Sequence, residues 1–266
     1  MNARSLTSIK LVQVSDCHVS ASRQARYRGL DADRSLHGLL PVIRDWQPDA
    51  ILLTGDVAED ASTTAYGRVS AMLCSAGAPV HALPGNHDDP AVMQRSFRSG
   101  PWAGPQFVPL KNWQLVLLDS TAPGEIGGTV GVQELEQLEA GLQKSQAEHV
   151  ILAMHHQPVP VGSPWIDKYA LAEPRKFLDL VGRDGRIRCI TWGHVHQDID
   201  MQRDGIRMLG APSSVANSLP GREKFTLDTT GPACRWLRLL PDGGVETGML
   251  RGRQPSSAGN TNHRIR

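Results

Sequence analysis

The stretch AILLTGDVAED, residues 50–60, decides the fold. Positions 50–54 form an apolar run of strand length that ends directly in Gly55-Asp56. A buried strand that delivers a polar side chain at its carboxyl end is how open α/β sheets build ligand sites. Outward from it, 9–14 reads as a second buried strand and 33–46 as a helix that Pro41 should kink or end early. A helix over 62–76 and a strand over 79–83 complete a strand–helix–strand–helix–strand series, which implies parallel βαβ units.

The same logic extends through the middle of the chain. Strands are expected at 113–118, after the loop 100–105, and at 150–154 and 187–192, with helices at 132–144 and 173–181. Beyond Gln197 only short strand candidates remain, at 198–202, 207–210, 224–228, 235–240 and 245–250. Two sheets packed face to face with helices outside would accommodate them. Residues 8–250 are expected to form one domain. The stretch 251–266 is rich in Ser, Asn, Gly and Arg, lacks a core-forming run and is expected to be a disordered tail.

Composition narrows the function classes. Apolar residues make up 40% and charged residues 21% of 266 positions, so a sizeable core can be buried. A net charge of +1 gives no footprint for nucleic acid and weighs against a membrane surface. No apolar run has the length of a signal peptide or a membrane span. Cys17, Cys74, Cys189 and Cys234 are widely spaced and form no CxxC pair, which favours reduced thiols and a cytoplasmic setting.

Five signatures follow predicted strands: Asp16-Cys17-His18, Gly55-Asp56, Gly85-Asn86-His87-Asp88, His155-His156 and Gly193-His194-Val195-His196. Each has a bland reading. Asp56 could be only a turn or a helix cap, and Asn86 an Asx turn. Their joint occurrence, each at a strand end, argues for convergence on one spot. Gly55, Gly85 and Gly193 are expected to let the chain turn sharply there. Oxygen and imidazole donors suit zinc, manganese, iron or related ions. Seven candidate ligands (Asp16, His18, Asp56, Asn86, His155, His194 and His196) exceed what one tetrahedral ion takes, which favours a pair.

These motifs resemble the calcineurin-like metallophosphoesterase superfamily, with its DxH, GDxx, GNHD, HH and GHxH pattern. The resemblance is closer still to the class III cyclic-nucleotide phosphodiesterases, the bacterial 3′,5′-cyclic AMP enzymes among them. It includes Leu117-Leu118-Asp119-Ser120, His155-His156-Gln157-Pro158, Ala211-Pro212-Ser213-Ser214 and Phe225-Thr226-Leu227-Asp228. The implied fold is α/β, a four-layer αββα sandwich of two mixed β-sheets flanked by helices. One metal would be held by Asp16, His18, Asp56 and His196, and the other by Asp56, Asn86, His155 and His194, with Asp56 bridging. His87 and Asp56 would be catalytic, and His18, Asp56, Asn86, His87, His155 and His196 would surround the substrate.

The implied reaction is hydrolysis of 3′,5′-cyclic AMP to 5′-AMP by a metal-bridging hydroxide, lowering a second messenger. The cofactors would be two divalent or mixed-valence ions of iron, manganese or zinc. Protein phosphatases of the superfamily carry an Arg soon after GD, where this chain has Val57-Ala58-Glu59-Asp60, which favours singly charged diesters. Two alternatives stay open: a broader phosphodiesterase acting on glycerophosphodiesters or other nucleotide diesters, and a metal-site scaffold without catalysis. Trp165 and Tyr169, in the loop 161–172, could stack on a purine or simply pack on the core. Arg23, Arg26 and Arg28 read as a solvated face.

Cys17 stands where the family usually has a small hydroxyl residue, and it reads as a space filler. Cys17→Ser should keep metal and turnover; loss of either, measured by metal analysis and rate, overturns that reading.

Overall fold

The computed structural model describes residues 7–97 and 104–252. Its first half runs β1 (Ile9–Val14), α1 (Ala32–Trp46), β2 (Ala50–Thr54), α2 (Thr63–Cys74), β3 (Val80–Leu83) and α3 (Pro90–Phe97). It continues with β4 (Gln106–Leu110), β5 (Trp113–Leu117), α4 (Val132–Lys144), β6 (His149–Met154), α5 (Pro164–Asp167), α6 (Arg175–Arg183) and β7 (Ile187–Trp192). The final third is β8 (Ile199–Arg203), β9 (Ile206–Gly210), β10 (Asn217–Ser218), β11 (Leu227–Asp228), β12 (Ala233–Leu239) and β13 (Val245–Arg251).

One five-stranded sheet has the order β13-β12-β1-β2-β3, and a six-stranded sheet the order β4-β5-β6-β7-β9-β8. Both are mixed: β1, β2 and β3 are parallel, as are β5, β6, β7 and β9, with antiparallel strands at the edges. Alternation along each strand makes the layers. Leu11 and Leu52 from one sheet meet Leu115, Ile151 and Leu209 from the other in a shared apolar layer. Val12, Val14, Ile51 and Leu53 face the opposite way and pack on α1, α2 and α3. Leu152, Ile190 and Trp192 do the same beneath α4 and α6. The four-layer αββα sandwich expected from the motifs is therefore the observed architecture.

Several local expectations need correction. Helix α1 runs unbroken through Pro41, with Asp31 capping it by accepting from the Arg34 N–H at 3.0 Å. Pro41 lies on the exposed side, so the carbonyl of His37 that loses its donor faces water rather than core. Strand β4 carries Pro109 at a sheet edge and was not anticipated, nor were α3 and α5. The strand expected over 224–228 shrinks to Leu227–Asp228, pairing only with Asn217–Ser218. Of the expected loop 100–105 and tail 251–266, residues 100–103 and 253–266 lie outside the described residues, and Arg251 ends β13.

Between the sheets, just below the strand ends, the apolar layer is interrupted by Gln13. Its Nε2 donates to Thr54 Oγ1 and to the Trp192 carbonyl, both at 3.0 Å, and its Oε1 accepts from the Thr191 hydroxyl at 2.6 Å. Thr54 in turn donates to Ser15 Oγ at 2.8 Å. A fully satisfied buried network of this kind sets the register of one sheet against the other. Gln13→Leu should lower stability by about 1–3 kcal/mol, because the polar partners stay buried without their bonds. Chemical denaturation measures this, and an unchanged unfolding midpoint contradicts it.

Candidate metal centre and its cavity

The five signatures meet at the carboxyl ends of β1, β2, β3, β6 and β7. The loops after β1 and β2 stay paired beyond the strands, with Asp16 N donating to the Gly55 carbonyl at 3.0 Å and His18 N to the Asp56 carbonyl at 2.9 Å. Asp88 locks the second of these loops to the third, accepting from the N–H groups of Val57, Ala58 and Gly85 at 2.9–3.1 Å. Burial, helped by nearby Asp56, pushes the Asp88 carboxyl up to about 6.

The sharp turning expected of three glycines is borne by Gly55 alone, at φ +86°. Gly85 and Gly193 are needed for space instead: a Cβ on the first would strike Asp56, and on the second Ser15. The remaining curvature falls on candidate ligands themselves. Asp16, His18, Asp56, His194 and His196 all have φ between 46° and 65°, the left-handed region that costs side chains about 1–3 kcal/mol each.

The seven expected residues come together. Donor atoms of Asp16, His18 and His196 lie within 4.8 Å of one another, as do those of Asp16, Asp56 and His155. The two oxygens of Asp56 face opposite ways: Oδ1 is 3.4 Å from His155 Nε2 and Oδ2 is 3.7 Å from His18 Nε2. Asn86 Oδ1 lies 3.2 Å from His155 Nε2, and His196 Nε2 lies 3.3 Å from Asp16 Oδ1. Three imidazoles are aimed by a bond at the far nitrogen. His18 Nδ1 meets Glu59 at 2.7 Å, His155 Nδ1 the Thr54 carbonyl at 2.8 Å, and His196 Nδ1 the Ala216 carbonyl at 2.6 Å. Partners of this type fix the tautomer and leave Nε2 as a donor to a metal.

The electrostatics fit cations. Burial would raise the carboxyl of Asp56, yet His155 and His18 hold it well below the usual range. Burial would likewise raise Asp16, and His196 brings it down. His155, which burial would lower, is pulled up to about 9 by Asp56. Burial pushes His18 down, and it pushes His194 well below the usual imidazole range; His156 and His155 depress His194 further. His194 Nε2 is buried with no hydrogen-bond partner among the described residues. An orphaned imidazole nitrogen beside acceptor-only carboxylates is what a divalent ion would satisfy.

Sequence reasoning missed several groups here. Glu59 bridges His18 and His87, whose Nδ1 lies 3.3 Å from it; its place three residues after Asp56 was the available signal. Tyr27 stacks flat on His18, with centroids 3.8 Å apart, and nothing in the sequence marked it. Arg28 departs from the solvated face expected of it. Its guanidinium lies 3.7 Å over the Phe225 ring, whereas Arg26 is spent on the carbonyls of Arg23 and Ala25. Tyr27, Arg28 and Phe225 line a cavity of about 670 Å³ above the donor clusters, together with His87, Trp165 and Tyr169. Cys17 faces the helix-side core, fully buried, and burial raises its thiol to about 12, so it carries no thiolate.

His156 sits among the donors but has no free nitrogen. Nδ1 lies 2.9 Å from the Ser120 hydroxyl and Nε2 lies 3.0 Å from the Ile126 carbonyl. Burial, with His155 adding to it, pushes its pKa down to about 3. The unfolded chain therefore binds this proton more readily, so the stabilisation is present above the ordinary imidazole value of about 6.5 and is lost as pH falls toward 3. In thermal unfolding of metal-free protein between about pH 4 and 7, His156→Gln should show a shallower acid decline than the parent. Parallel curves would remove His156 as the cause.

The family model for calcineurin-like phosphoesterases matches residues 9–198. The 3′,5′-cyclic adenosine monophosphate phosphodiesterase CpdA of Pseudomonas aeruginosa is 39% identical over 246 residues, covering 92% of this chain and 90% of that protein. Its namesake from Escherichia coli K12 is 32% identical over 246 residues, covering 91% and 90%. A dimetal phosphatase from Danio rerio shares the fold, with a TM-score of 0.68 at 16% identity, covering 93% of this chain and 100% of that one. With its motifs converging at the strand ends of an αββα sandwich, the chain belongs to the calcineurin-like phosphoesterase family.

Proposed function

We propose that this protein is a metal-dependent phosphodiesterase that hydrolyses 3′,5′-cyclic AMP to 5′-AMP. The observation that carries the reading is Asp56, whose two oxygens face separate donor clusters at the floor of one cavity. One cluster, Asp16, His18 and His196 with Asp56, would hold the first ion. Asn86, His155 and His194, again with Asp56, would hold the second. When bound, such a pair supplies acidified water as nucleophile and neutralises charge on the phosphoryl oxygens.

The chain's own groups do the rest. Attack at phosphorus breaks the P–O3′ bond, and O3′ needs a proton as it leaves. His87 is open to the cavity, with Nδ1 held 3.3 Å from Glu59, which leaves Nε2 for that oxygen. Glu59 also bears on substrate choice. Its carboxylate, close to His18 and His87, repels a dianionic monoester more than a singly charged diester. The names of the two CpdA relatives point to the same substrate class.

A cytoplasmic setting, with iron, manganese or zinc as the ions, completes the proposal. Its supports are the oxygen and imidazole donors, four cysteines that are all free thiols, and the lack among the described residues of a helix long and apolar enough to cross a membrane. Nothing in the charge balance calls for a nucleic-acid or membrane partner.

A panel of cyclic AMP, cyclic GMP and bis(p-nitrophenyl) phosphate, assayed with Mn²⁺ and with chelator, tests the reading. Metal-dependent release of 5′-AMP is expected, and hydrolysis of the generic diester alone would sink it. His87→Ala should lower kcat by roughly 10²–10⁴ with metal content unchanged. Retained turnover would exclude His87 as the proton donor.

A further inference from the structure

Arg28 is presented to the cavity by its backbone rather than by chance of rotamer. Tyr27 and Leu30 pair across a tight turn, N to O at 3.0 and 2.8 Å, with φ of 48° at Arg28 and 83° at Gly29. Positive φ at both central residues is the signature of a type I′ hairpin turn, which gives the side chain at its first corner one direction. Among the described residues no carboxylate lies within ion-pair range of Arg28; its Nε donates to the Tyr27 hydroxyl at 3.3 Å. Its guanidinium also lies 5.4 Å from the Tyr27 ring centroid, and the residue lines the cavity.

Phe225, beneath the guanidinium, is equally well held. Its ring meets Trp165 edge-on at 5.3 Å and the candidate ligand His196 at 6.1 Å. The segment that carries it is tied down by Gly221 N to Ser163 Oγ at 3.0 Å and Leu219 N to the Thr226 carbonyl at 2.8 Å. Ser163 in turn donates to Gln197, next to His196, at 3.0 Å. The pair therefore forms a flat, cationic ledge rigidly placed beside the metal-ligand floor.

With a phosphodiester on that floor, the rest of the substrate has to lie along the cavity wall. A guanidinium packed by one face on an aromatic ring offers its other face to a second π-system. We propose that Arg28, backed by Phe225, is the platform on which the substrate's nucleobase stacks, so that this pair sets the preference for nucleotides over simple diesters. The proposal rests on the reading of the cavity as a cyclic-nucleotide site. It differs from a phosphate-clamp role, in which Arg28 would act on every diester alike.

The test compares cyclic AMP with the abasic ribose 3′,5′-cyclic phosphate, using metal-loaded parent, Arg28→Ala, Arg28→Lys and Phe225→Ala, with kcat and KM for each. Binding of 5′-AMP and of ribose 5-phosphate is measured alongside by calorimetry. In Arg28→Ala and Arg28→Lys the preference for the base-bearing substrate should fall about tenfold or more, through KM, and the binding advantage of 5′-AMP should fall with it. Phe225→Ala should move the same way. If both substrates weaken together, or if lysine restores the preference, charge rather than stacking is at work and the proposal fails. A parent enzyme that ignores cyclic AMP would instead overturn the function proposed above, whereas a preference unmoved by any variant overturns this inference alone.

Discussion

Two carboxylates, Asp16 and Asp56, are buried side by side at the mouth of the sandwich, and everything around them serves to keep them ionised. Moving a carboxylate out of water costs several kcal/mol unless positive charge meets it. Part of that charge comes from His155, which Asp56 draws toward its protonated form. The histidines alone do not complete the compensation, since burial holds His18 and His194 toward their neutral forms. A pair of cations would resolve both sides of the imbalance, accepting the carboxylates and the neutral imidazoles together. The fold is thus built around a charge it does not itself supply.

Holding that arrangement also strains the backbone. Five of the seven ligand candidates sit in the left-handed region, where only glycine is at ease. The strain persists because the loops are over-determined: strand-like pairing continues past β1 and β2, Asp88 ties three loop N–H groups, and Ser213 Oγ donates to the Asp16 carbonyl at 2.8 Å. Below them Gln13 fixes one sheet against the other, so that donors delivered by both sheets keep their spacing. Packing energy from three apolar layers thereby stabilises a geometry that no single loop would adopt.

The cavity divides its labour by element. The floor is made of strand-end residues that hold charge. The walls come from connections (among them the turn at Arg28, the loop bearing Ile126, the short helix α5 with Trp165, and the segment bearing Phe225) that supply aromatic area and the cations Arg28, Lys168 and Lys224. Loops on a rigid scaffold can diverge without disturbing the floor.

The sequence by itself determined most of the strands, the two-sheet architecture and which candidate donors sit at strand ends. Each motif follows an apolar run, and strand periodicity together with Asp, Asn and His at strand ends is local information. Residues such as Asp56 and His196 were legible for that reason. Tyr27, Arg28, Glu59 and Gln13 were not, because their roles depend on contacts with groups far along the chain: Phe225 for Arg28, Trp192 for Gln13, and the meeting of His18 and His87 for Glu59. The persistence of α1 through Pro41 and the pairing of β4 were likewise decided by exposure and neighbours rather than propensity. A pattern in sequence can state which chemistry is carried to a strand end. Only the closed sandwich states which distant side chains stand opposite it, since burial and proximity exist only once both sheets have met.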